Sequence, residues 1–77
     1  MTMQLVKRGT AKPDATGWVA VDIGDPRTYP PTLKRVVIER KDGFVFFGQS
    51  GTEAVEYLLY PEMPWFPIRN VKRWRVA

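Results

Sequence analysis

Apolar and polar positions alternate along this chain in short runs, and each run is cut by glycine or proline. Trp18-Val19-Ala20-Val21-Asp22-Ile23 is rich in β-branched and aromatic residues and stops at Gly24-Asp25-Pro26, which predicts a strand. A period of two puts Val19, Val21 and Ile23 on one face, expected to be the inner one, and Trp18, Ala20 and Asp22 on the other. Leu33 to Arg40 reads as a second strand and Phe44 to Gly48 as a third. Lys41-Asp42-Gly43 lies between them. Asp-Gly between two β-rich runs predicts a hairpin whose two central residues take positive φ. Both strands carry apolar residues on both faces, which predicts strong curvature or cover on both sides.

The remaining segments are punctuated more heavily. Residues 1–17 show no sustained period and read as an arm or loop, in which Leu5-Val6 can start a short edge strand. Residues 18–77 read as a single small β domain. Pro26, Pro30 and Pro31 make residues 24–32 a stiff loop that presents Arg27 and Tyr29; packing against the core is the simpler fate for Tyr29. Gly48 and Gly51 fit a bend or bulge where a strand turns a corner. Residues 53–60 fit a strand better than a short helix, and Pro61 ends either one. Trp65 and Phe66 sit in a proline-bounded loop, as a plug over the core or as a contact patch. Ile68, Val71 and Trp74 are spaced by three, which suits a 3₁₀ turn leading into a last strand. Along that strand Trp74 and Val76 face one way, and Arg73 and Arg75 the other.

Composition narrows what this architecture can do. At this length a folded chain buries roughly 60–65% of the surface its unfolded form exposes. With no Cys and no His, neither disulfides nor the common zinc ligand sets reinforce it. Ten aromatic residues supply the core instead. No apolar run reaches the length of a membrane span, and a soluble, cytoplasmic protein is the expectation. The net charge is +4. All of it comes from the segment after Glu62, where Arg69, Lys72, Arg73 and Arg75 stand without an acid; cations and acids balance in the rest of the chain. A one-sided basic segment suits a polyanion or an acidic protein surface.

The order of the elements is an Asp-Gly hairpin, a glycine bend, a further strand, then Phe66-Pro67-Ile68-Arg69-Asn70-Val71-Lys72-Arg73-Trp74-Arg75-Val76. It resembles the small β-barrel families, Sm-like proteins among them, in which a short 3₁₀ turn precedes the last strand. The resemblance implies a mainly β fold, a five-stranded antiparallel barrel or strongly curved sheet. It also implies a role in binding nucleic acid, peptides or proteins, with self-assembly through strand edges as a further option. The long proline loop after Ile23 departs from the usual pattern.

Catalysis finds little support in the residues. General acid–base work most often uses His, and Ser50, the only serine, has only Glu53 and Glu56 nearby. The carboxylates are scattered without metal-ligand spacing. No cofactor is implied. Two binding readings follow. In the first, Arg69, Lys72, Arg73 and Arg75 contact phosphates, with Lys34 and Arg35 extending the patch, while Trp65 and Phe66, with Tyr29 or Tyr57, stack on bases. In the second, the same Arg and aromatic residues dock on a protein, as an inhibitor from a phage or mobile element would when it occludes a host enzyme or defence complex. Trp65 and Phe66 lying on one face with the arginines favours the first; aromatics set apart from residues 69–75 favour the second.

Overall fold

The computed structural model describes residues 8–51, 54–59, 63 and 65–77. Among these residues six strands form one antiparallel sheet: β1 (Val19–Ala20), β2 (Arg35–Arg40), β3 (Val45–Ser50), β4 (Ala54–Tyr57), β5 (Trp65–Pro67) and β6 (Val71–Val76). Two 3₁₀ turns join them, η1 (Pro26–Thr28) and η2 (Ile68–Asn70). Among the described residues no helix is long and apolar enough to cross a membrane. The expected 3₁₀ turn before the last strand is present, and residues 54–57 are strand. The expected edge strand at Leu5-Val6 lies outside the described residues, as do Glu53 and Tyr60 of the segment expected to form the fourth strand.

The sheet order is β1-β6-β2-β3-β4-β5. In a flat sheet β5 and β6 would lie four strand spacings apart, about 19 Å. The chain passes from Pro67 at the end of β5 to Val71 at the start of β6 through η2, and four residue steps reach at most about 14 Å even when fully extended. The sheet must therefore curl, and η2 is the strap across its concave side. The rings of Phe46 on β3 and Phe66 on β5 meet there at 5.9 Å. The edges β1 and β5 do not pair with each other, so the expected closed five-stranded barrel is instead an open, curled sheet of six strands.

The concave side holds the core: Val19, Val36, Ile38, Phe46, Val55, Tyr57, Ile68, Val71 and Trp74. Trp74 is buried, and its indole N–H donates to the Thr28 carbonyl at 2.7 Å, which ties η1 to the core. Gly48 is buried in the middle of β3, and a Cβ there would lie 2.4 Å from Cγ1 of Val55, so only glycine lets β4 pack this closely.

Several local expectations are corrected. The first strand is only Val19–Ala20, and Ile23 is 54% exposed because the chain has already turned toward η1. The second strand starts at Arg35, since Leu33 adopts a left-handed backbone, φ 61°, as its N–H bonds the Ser50 carbonyl at 2.8 Å. In the hairpin only Gly43 has positive φ, 92°, and its N–H donates to the Arg40 carbonyl. The loop is thus three residues, Lys41 to Gly43, closed by a left-handed glycine rather than a two-residue turn. In β6, Arg40 opposes Val71 while Glu39 opposes Arg73, so Lys72 is a bulge. That extra residue explains why Val71 and Trp74, three apart, both point inward. Val76, expected to share Trp74's inner face, is 56% exposed at the strand end.

Candidate functional site

The cations expected to form one basic patch are divided among three places. Lys72 is exposed at the bulge and Arg69 is exposed on η2. The backbone N–H of Lys41, in the β2–β3 turn, donates to the Asn70 carbonyl at 3.3 Å and so holds the hairpin end against η2. Lys41, Arg69 and Lys72 therefore gather at one end of the sheet. None of them forms an ion pair with a described carboxylate. Between the turn and η2 lies a cleft of about 200 Å³, lined by Arg40, Lys41, Asp42, Phe66 and Asn70.

Arg40 and Asp42 make this end rigid. The Arg40 guanidinium stands 5.3 Å from the Phe44 ring and 5.1 Å from the Phe66 ring. It donates to the Tyr57 hydroxyl at 3.2 Å and to the Asp42 carboxylate. The Phe44 backbone N–H, donating to Asp42 at 3.1 Å, and the Arg40 guanidinium together hold the Asp42 carboxyl below the usual aspartate range. Arg40 and Asp42 balance each other, which leaves Lys41, Arg69 and Lys72 as the net charge of this end among the described residues.

Arg73 and Arg75 are used differently. Arg73 is half-buried and pairs with Glu39, its cross-strand partner. Its guanidinium lies 4.4 Å from the ring centre of Trp18, and that of Arg75 lies 5.4 Å from the same ring. Trp18 directly precedes β1, on the outer side of the sheet. Lys34 and Arg35 are exposed at the far end of β2, away from Lys41.

The expected aromatic platform is split as well. Val55 opposes Phe66 and Glu56 opposes Trp65. Alternation therefore sends Phe66 inward, against Phe46 and Tyr57, and Trp65 outward, where it is 61% exposed. Trp65 stands on edge strand β5, four strands from β6. Tyr29 is half-buried against the core, its hydroxyl accepting the Gly24 N–H at 3.1 Å and its ring 5.7 Å from the Arg8 guanidinium. The structure therefore does not bring Trp65 or Tyr29 to the cations of β6, and Phe66 reaches the cationic end only as a half-buried wall of the cleft.

Two features escaped sequence reasoning. Lys41 joins Arg69 and Lys72 only through the turn-to-η2 contact, which no local pattern encodes. Trp18 meets two arginines only through the β1–β6 pairing. Comparison with protein-family models, with curated proteins and with solved structures gives no match.

Proposed function

We propose that this chain is a non-catalytic binding module that docks its cationic end, Lys41, Arg69 and Lys72, onto an acidic protein surface. One observation carries this reading: three exposed cations without a carboxylate partner among the described residues gather at the end of the sheet where the β2–β3 turn meets η2, while Trp65 faces outward from β5 and Tyr29 packs against the core. The stacked Arg40 and the short turn fix the end in place, which lowers the entropic cost of docking. A small inhibitor that covers an acidic site on a host enzyme or defence complex fits such a surface. Nucleic acid is the second reading, favoured by the same three cations, which have no carboxylate partner among the described residues and would contact phosphates without base readout.

The test is a fluorescence anisotropy titration of labelled polyglutamate and of single- and double-stranded DNA and RNA, with intrinsic Trp emission followed in parallel. Polyglutamate is expected to bind saturably, with log Kd changing against log salt with a slope of about 2–3 for three contacts. Arg69→Glu with Lys72→Glu should abolish this binding. Nucleic acid bound at least about tenfold more tightly than polyglutamate of equal charge, with Trp quenching, would establish the second reading instead. No binding of any polyanion at low salt would remove this end as a site.

A further inference from the structure

A second surface, distinct from the cationic end, lies on the outer face of the three central strands. Register places Arg35, Gln49 and Glu56 in one row across β2, β3 and β4. The flanking residues Val36, Gly48 and Tyr57 point to the core, so this row faces outward. Phe47 and Val45 stand on the same face of β3 and are 48% and 49% exposed. The face thus has an apolar stripe along β3, a cation one strand to one side and an acid one strand to the other. Across Gln49, two strand spacings of about 9.6 Å separate Arg35 from Glu56, and neither has an ion-pair partner among the described residues.

We infer that this face receives a second copy of the chain through a two-fold axis parallel to β3. Rotation about such an axis preserves the strand direction and exchanges the flanks. Phe47 then meets Phe47 of the other copy, Gln49 meets Gln49, and each Arg35 comes opposite the other copy's Glu56. The cation and the acid lie at equal distances from the axis, so one operation satisfies both charges in both copies. A second copy is the occupant that this symmetry fits, because the surface is complementary to itself. The outer face of a curled sheet is convex, so contact is confined to β2, β3 and β4. A patch of about 20 Å by 10 Å covers only about 200 Å² on each copy, so the association expected is weak and transient, with Kd in the range of hundreds of micromolar.

Sedimentation equilibrium of the full chain, from about 10 μM to 1 mM at physiological salt, tests this inference. The expected result is a reversible monomer–dimer equilibrium. Phe47→Glu should leave only monomer. Arg35→Glu and Glu56→Arg should each weaken association by at least about tenfold, and the two together should restore it to within about threefold, since the swapped charges still face each other. Circular dichroism melts on each variant keep loss of association separate from loss of fold. A monomer at 1 mM would overturn the inference. So would a dimer that survives Phe47→Glu, which would place the contact on the β1 or β5 edge, or a double variant weaker than either single one. Polyanion binding by the cationic end stands or falls separately in the titration above.

Discussion

Leu33 combines two costs in one residue. It is the one described non-glycine residue with positive φ, 61°, and it is 81% exposed. A left-handed backbone costs a residue with a Cβ about 1–2 kcal/mol, and glycine is free of that cost. Leu33→Gly is therefore expected to raise stability by about 1 kcal/mol, a gain of about 4–8 °C in melting temperature for a domain of this size. A lower melting temperature by differential scanning calorimetry would mean that the leucine side chain packs on something. Nothing local in the sequence announced this strain, because it comes from the Leu33–Ser50 hydrogen bond, which needs the folded β3 beside it. Gly43 was legible, since a turn between two strands calls for a left-handed residue. The loop length was not, because it depends on which residues of β2 and β3 face each other.

At the scale of elements, alternation predicted Arg73 and Arg75 on one outward face, and the register agrees. Alternation could not tell them apart, since it is blind to the neighbouring strand. Arg73 faces Glu39, whose side chain is largely buried, whereas Arg75 faces Val37. Arg73→Glu sets two carboxylates side by side on β2 and β6 and is expected to cost about 1–2 kcal/mol in urea unfolding. Arg75→Glu should stay within about 0.5 kcal/mol, since it surrenders only an exposed contact with Trp18. Equal losses would refute the distinction. The spacing of Ile68, Val71 and Trp74 was read as a 3₁₀ turn, and η2 accounts for its first interval. The second interval belongs to the Lys72 bulge, which a sequence periodicity of three cannot separate from a turn.

For the whole molecule, the mainly β class and the β2–β3–β4 succession were legible because neighbours in sequence are neighbours in the sheet. The curl was legible too, through apolar residues on both faces, whereas Gly48, expected at a bend, lies in unbroken register and serves the close approach of β4. Closure was not. Whether a curled sheet seals depends on its edges, and two short edge strands, β1 and β5, leave it open. The candidate site was legible residue by residue in Arg69 and Lys72, and illegible as an arrangement.

One feature of the sheet order bears on how the molecule comes together in time. β6 lies between β1 and β2, yet the chain reaches it last among the six strands. β2, β3 and β4 can assemble from nearby segments. The β1–β6–β2 half must wait for two distant parts of the chain to meet, and closing that long loop before any reward makes the search slow. The rate-limiting barrier is therefore expected to hold the Asp42-Gly43 hairpin already formed and β6 not yet docked. Gly43→Ala should chiefly slow refolding, and Val71→Ala should chiefly hasten unfolding, in stopped-flow experiments. The opposite partition would mean that β6 recruits the hairpin rather than the hairpin recruiting β6.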